Sequence, residues 1–422
     1  MYGELSKGEL SALKEKLSKE YEALKSKGLK LDMSRGKPSS EQLDLSNAMM
    51  KIDLGDYKTD VGFDCRNYGA LDGINETKRF LMPLLGVEEE CVFIGGNSSL
   101  QLMYDAIARA MLFGTPNAAP WGKNGSPVKF LCPSPGYDRH FTMLEAFGIE
   151  MITVPMLESG PDMDMVEKLA AEDKNIKGIF CVPMYSNPCG ITYSDETVRR
   201  FAALKTAAFD FRIFWDNAYC VHHLTDAPEK LLNIYDECVK HGNENKVYIF
   251  VSTSKITFAG GGISAIGSSP ENTELARKQL ALQTIGFDRI NQLRHARFFK
   301  DLDGLNQHME KHRAIVEPKF NVVFEALERE ILPVKLGEWH KPRGGYFVSF
   351  NGLKGTAKRV VELCKQAGVV LTGAGATFPY GADPLDRNIR IAPTFPPESE
   401  LVSAMEVFCA AVKLASAEVL SA

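Results

Sequence analysis

The run VYIFVSTSKITFAGGG sets Lys255 directly behind a β-branched apolar stretch. A lysine amine in such a place is costly unless it is neutralised, paired or covalently bonded. Ser252, Thr253 and Ser254 precede it, and Gly260, Gly261 and Gly262 follow. Hydroxyls and exposed backbone N–H groups of this kind make anion sites. An amine beside an anion cradle suits a phosphate-bearing aldehyde held as an imine. A surface lysine snorkelling past a strand end would give the same spacing. The phosphate loop of nucleotide hydrolases needs GxxxxGK[ST], and no such run occurs.

Four further runs place reactive or recognition groups after apolar stretches. FRIFWDNAY ends in Asp216, with Tyr219 three residues on; a carboxylate there can cap, ligate a metal or act as a base. FIGGNSSLQLMYDA brings Asn97, Ser98 and Ser99 to a helix start, where they suit a phosphate or serve as an ordinary cap. FLCPSPGYDRHF carries Tyr137 in a Pro-Gly turn, where the ring could cover a flat heterocycle or simply pack. GIFCVPMYSNPCG carries Asn187-Pro188 and Gly190, a common turn former. Each signal is modest alone. Their joint occurrence in this order carries the weight.

Such groups need a sheet edge to hold them. Short apolar runs at 91–94, 128–132, 151–154, 178–182, 212–215, 247–251 and 263–267 read as strands. Helical stretches at 73–85 and 98–113 lie among them, and 114–127 reads as a surface loop. Strands alternating with helices imply an α/β fold with a mostly parallel sheet covered on both faces, and ligands bind outside the carboxyl ends of such strands. An amphipathic helix over 10–27 and an extended segment over 31–38 come first. The charged stretch 291–327 reads as one long helix linking two domains. Beyond it lie strand 345–350, helix 356–367, strands 369–371 and 388–391 and helix 398–414, an α+β tail.

The chain has 422 residues, 45% hydrophobic and 24% charged, long enough for two domains around large cores. A net charge of −5 without a basic tail or like-charge run argues against nucleic acid as the main partner. Nine cysteines show no CxxC pair and no Cys/His cluster, so free thiols in a reducing compartment are expected, with no metal site. The charged N-terminus lacks a signal-peptide core, and no apolar run nears the roughly 18 residues needed to span a bilayer. A cytoplasmic protein is expected.

The motifs RNYGALDG, GGNSSLQL, PSPGY, YSNPCG, WDNAY, STSK and NIRIAP together resemble the class I aminotransferases, fold-type I pyridoxal-phosphate (PLP) enzymes, over essentially the whole chain. Within that class the chain is similar to the type Ic aspartate aminotransferases and to the aminotransferase part of the MocR regulators. The resemblance implies a large PLP-binding domain over 46–320 and a small domain over 321–422, with 1–45 contributing to the small one. Lys255 would carry PLP as a Schiff base and shuttle the proton. Asp216 would pair with the pyridine nitrogen, Asn187 and Tyr219 with the phenolate oxygen, and Tyr137 would stack on the ring. Asn97, Ser98 and Ser252 would hold the phosphate, with Ser99 and Ser254 beside them. Tyr68 would reach the phosphate of a neighbouring subunit, which implies a homodimer with shared active sites. Arg390 would clamp the substrate α-carboxylate near Asn187, and the backbone around Gly36 would close over it.

Two points depart from a simple carry-over. Relatives place an arginine eight residues beyond the lysine, on the phosphate; Ile263 stands here, and no arginine occurs between Lys255 and Arg277. A dicarboxylate substrate also needs a second cation, for which Arg35, Arg289 and Arg294 are the candidates. The expected reaction moves the amino group of an L-amino acid, aspartate in this subgroup, to 2-oxoglutarate in a ping-pong cycle. The alternatives are a C–S lyase on the same scaffold and a PLP-sensing regulator. Only about 30 residues precede LDMSRG, too few for the regulators' DNA-binding domain.

Overall fold

The computed structural model describes residues 2–421. In chain order the helices and strands begin with α1 (Lys7–Lys25), β1 (Leu31–Asp32), α2 (Ser40–Asp44), α3 (Asn75–Leu85), β2 (Val92–Ile94) and α4 (Ser99–Leu112). Next come β3 (Lys129–Ser134), α5 (Asp138–Ala146), β4 (Glu150–Leu157), β5 (Gly160–Pro161), α6 (Met163–Glu172) and β6 (Ile176–Cys181). They are followed by α7 (Asp195–Ala202), β7 (Arg212–Asp216), α8 (Ile234–Lys240), β8 (Val247–Ser252) and β9 (Ser264–Gly267). Helices α9 (Pro270–Leu280), α10 (Arg289–Phe299) and α11 (Leu302–Glu330) precede β10 (Gly337–Trp339) and β11 (Val348–Gly352). The chain ends with α12 (Ala357–Gln366), β12 (Val369–Val370), β13 (Asn388–Ile391) and α13 (Glu398–Ser421).

Eight strands form the main sheet in the order β2-β9-β8-β7-β6-β3-β4-β5. The pairs β8/β7, β7/β6, β6/β3 and β3/β4 are parallel. Strand β9 runs antiparallel to both its neighbours.

Alternation along the central strands explains the two-sided burial. Ile213, Trp215, Ile249 and Val251 enter one core, while Phe214 and Phe250 between them enter the core on the other face. Both faces being covered, the strands read as continuous apolar runs, which is why they were visible in the sequence.

A further core gathers both chain ends. Leu17, Tyr21 and Leu31 pack with Phe320, Phe350, Leu363 and Phe408. Strand β1 pairs in parallel with β12, and β10, β11 and β13 form an antiparallel sheet.

The long helix expected over 291–327 is two helices. Lys300 takes a left-handed φ of 68°, and the Asp301 side chain accepts from Gly304 N at 2.9 Å to start α11 afresh. A side chain at Gly304 would overlap the Phe299 carbonyl, so the restart requires glycine. Among the described residues no helix is long and apolar enough to cross a membrane. All nine cysteines are free, and eight of them are buried.

Candidate active site

Because β3, β6, β7 and β8 are parallel, the turns after them lie along one edge of the sheet. Tyr137 follows β3, Asn187 follows β6, Asp216 ends β7 and Lys255 follows β8.

Lys255 Nζ lies 4.9 Å from the centroid of the Tyr219 ring. Burial lowers the pKa of its amine, with the nearby charge of Asp216 pulling the other way. The lysine therefore turns inward, and the snorkelling alternative is set aside.

Asp216 is buried, and it caps nothing. Its Oδ2 lies 3.2 Å from His140 Nε2, while its Oδ1 has no partner among the described residues. A carboxylate only accepts, so His140 donates from Nε2. The imidazole is stacked on Phe180 with ring centroids 4.1 Å apart, and Tyr137 meets it edge-on at 4.9 Å. Burial, with Asp216 and Asp138 adding, pushes the Tyr137 hydroxyl up to about 12. Burial also holds the Tyr219 hydroxyl well above its ordinary value.

Ser98 occupies the N-cap position of α4, yet its side chain makes no capping hydrogen bond. The bland capping role is thus unfilled, and the hydroxyl and first N–H groups are available to an anion. Two bonds tie this turn to the turn that carries Lys255. Ser254 Oγ donates to Asn97 O at 2.6 Å, and Asn97 Nδ2 donates to Ala259 O at 3.2 Å. Ser99 is buried in the first turn of α4, and Ser252 is half-buried at the end of β8.

Helix α10 braces the Lys255 turn from behind. Asn291 Nδ2 donates to Gly261 O and Gly262 O at 2.9 and 3.1 Å. His295 Nδ1 lies 2.8 Å from the Asn291 carbonyl, which can only accept, so Nδ1 carries the proton. Nε2 is then the acceptor for the Thr253 and Thr257 hydroxyls at 3.2 and 3.0 Å. Thr253 Oγ1 in turn accepts from Ile263 N at 2.9 Å. Ile263 is itself buried, so its side chain belongs to the core and no cation stands at that place.

Arg390, on β13, is 5% exposed. Its Nη1 donates to Asp138 Oδ1 at 2.8 Å and to Asn187 Oδ1 at 3.2 Å. Nε and Nη2 donate to Thr372 Oγ1 at 3.3 and 3.2 Å, and the guanidinium lies 4.8 Å from the Phe347 ring centroid. Gly36 packs so closely on Phe347 that a side chain at 36 would overlap that ring.

The hydrogen bonds joining these groups do not extend to Tyr68, which is 74% exposed, or to Arg35, also exposed. Arg289 Nη1 donates to Gly69 O at 3.0 Å, and Arg294 is half-buried beside His295. His140, Asp138, Thr372, His295 and Phe347 were not singled out in the sequence. The one available signal was His140 at helical spacing, three residues beyond Tyr137 in the same run.

The family model described as Aspartate amino-transferase matches residues 5–422. The aspartate aminotransferase of Corynebacterium glutamicum is 46% identical over 406 residues, covering 96% of this chain and 94% of that protein. A crystal structure of an aspartate transaminase from the same species superposes with a TM-score of 0.97 at 44% identity, covering 99% of each chain. A solved structure from Corynebacterium diphtheriae gives 0.93 at 46% identity, covering 96% of this chain and all of that one. An inward lysine and a buried carboxylate at neighbouring strand ends thus occur in a chain whose kinship runs almost end to end, and the chain belongs to the aspartate aminotransferase family.

Proposed function

We propose that this aminotransferase is PLP-dependent and moves the amino group of aspartate to 2-oxoglutarate in two half-reactions. The observation that carries the reading is Asp216: one carboxylate oxygen is held by His140 and the other is buried without a partner. A buried anion left half-satisfied fits a cationic N–H, as a protonated pyridine supplies. The remaining residues fit the same group, with an amine at Lys255, an aromatic cover at Tyr137 and an anion cradle at Asn97, Ser98 and Ser252, flanked by Ser99 and Ser254.

When bound, PLP supplies an aldehyde carbon for the amine and an electron-poor ring that takes up the electron pair left when the α-proton departs. Asp216 would keep the ring nitrogen protonated, with His140 keeping Asp216 aimed. Tyr219 and Asn187 would hold the phenolate oxygen. Lys255 Nζ, made less basic by burial, takes the substrate's α-proton and holds it for return. Arg390 binds the α-carboxylate and so orients the Cα–H bond towards the lysine. The segment around Gly36 covers the substrate and excludes water.

Aspartate as donor is supported by the relative of that name in Corynebacterium glutamicum. The proposed working form is a cytoplasmic homodimer in which the exposed Tyr68 ring reaches the partner's phosphate site. The proposed cofactor domain spans 46–320 and the proposed smaller one 1–45 with 321–422, of which residues 1 and 422 lie outside the described ones; α11 runs from one into the other, since Val316 and Phe320 already pack in the smaller domain's core.

The test is the visible absorption of the purified holoenzyme. L-aspartate should bleach its band, and 2-oxoglutarate should restore it. A protein unchanged by aspartate that instead releases pyruvate and ammonia from a β-substituted amino acid would be a lyase. A protein that takes up no PLP would end the reading.

A further inference from the structure

We infer that Asp138 is a resident counter-carboxylate of Arg390, which an incoming substrate carboxylate displaces, and that it thereby sets how tightly the site holds carboxylates. The inference rests on the reading of Arg390 as the carboxylate clamp. A guanidinium has five N–H donors. In Arg390, Nη1 serves Asp138 and Asn187, while Nε and one N–H of Nη2 serve Thr372. One N–H, the second on Nη2, is left for a ligand. A carboxylate that binds in two-pronged fashion needs two parallel N–H groups, so a resident partner must give way.

The three residents differ in their freedom to leave. Asn187 is 4% exposed. Thr372 is fixed from its other side, since its hydroxyl donates to Ser34 O at 2.6 Å. Asp138 has a side chain 28% exposed, so water is within its reach. It alone carries the same charge as the arriving group. It is also the first residue of α5, whose unsatisfied N–H groups steady a carboxylate that has let go of its cation.

Arg390 is nearly inaccessible, and a buried guanidinium without a counter-charge is unstable. Asp138 supplies that charge while the site holds no substrate. The pair is neutral overall, so a substrate meets an arginine already compensated and must exchange with Asp138 to bind it.

The experiment is calorimetric titration of the holoenzyme with succinate, which has two carboxylates and no amino or oxo group to react. Asp138→Asn keeps the shape and an acceptor oxygen but removes the competing charge, and should bind succinate about tenfold more tightly than the unaltered protein. Asp138→Ser should tighten binding in the same direction and guards against a folding defect peculiar to the amide; thermal melting of both variants checks the fold. Binding that is unchanged or weaker in both variants overturns the inference, because Asp138 would then be a support that Arg390 needs. Arg390→Ala should abolish succinate binding in either background. If it does not, the reading of Arg390 itself fails, an outcome distinct from one confined to Asp138.

Discussion

Asp216 meets the site through a single partner, so the weight of its aim rests on His140. A hydrogen bond to a charged group contributes about 1.5–3 kcal/mol. His140→Ala should therefore lower kcat/KM roughly ten- to a hundredfold and weaken PLP retention, read as a higher Kd when the apoprotein is titrated with the cofactor. Unchanged retention would mean that Asp216 needs no second holder. Lys255→Ala should abolish amino-group exchange and leave the circular dichroism spectrum intact; near-normal turnover would end the assignment. Lys255, Asp216, Tyr137 and Asn187 were legible because each follows an apolar run, and the end of a parallel strand is where a site must lie. Asp138 and His140 lie in the same run as Tyr137, and nothing in their local spacing marks what they do. Their roles are made by contacts with Arg390 and Asp216, across 252 and 76 residues of chain, which no local spacing reveals.

The turn that carries Lys255 owes its shape to α10 as much as to its own residues. Thr253 Oγ1 is the hub, bonding His295 and accepting from the buried N–H of Ile263. Thr253→Val would leave that N–H without an acceptor, at a cost of about 1–3 kcal/mol in denaturant unfolding, and Thr253→Ser should restore most of it. The N-terminal segment works on the other side of the site. A methyl group at Gly36 would overlap Phe347, the ring under Arg390, so Gly36→Ala should raise KM for amino acids with a smaller effect on kcat. The strands of the main sheet were readable because burial on both faces makes them apolar throughout. The break at Lys300 was not, because Gly304 stands inside the first turn of α11 rather than at the break, and the interruption itself comes from one left-handed residue and one capping aspartate. Strands of two or three residues, such as β5 and β10, are too short to show a period at all.

Over the whole molecule, several histidines have gone into the interior as neutral rings. Burial lowers His295 and His312 to about 4, with His308 adding to the effect on His312. It also lowers His308 and His223, and it holds His222 well below its ordinary value. These rings sit where the main sheet, α10, α11 and the N-terminal segment meet. Gln42 of α2 donates to His312 Nδ1 at 3.2 Å, and His308 Nε2 lies 2.9 Å from the carbonyl of Ile256, next to Lys255. Unfolding exposes each ring to water, where its pKa returns to about 6.5. Between about 4 and about 6.5 the unfolded chain therefore binds more protons than the folded one, so stability rises with pH across that interval and is lost as pH falls through it. For His295 and His312 the loss is about 3 kcal/mol apiece once both states are protonated, a large share of a typical domain's margin. The protein should thus unfold at clearly lower denaturant concentration at pH about 4.5 than at pH about 7, with the steepest change below about 6.5. His295→Leu should flatten the profile by removing one titrating ring, while lowering stability near neutrality because Thr253 and Thr257 lose their acceptor. A variant profile parallel to that of the unaltered protein would show that the ring does not titrate in this interval, and the acid sensitivity would then belong to the carboxylates.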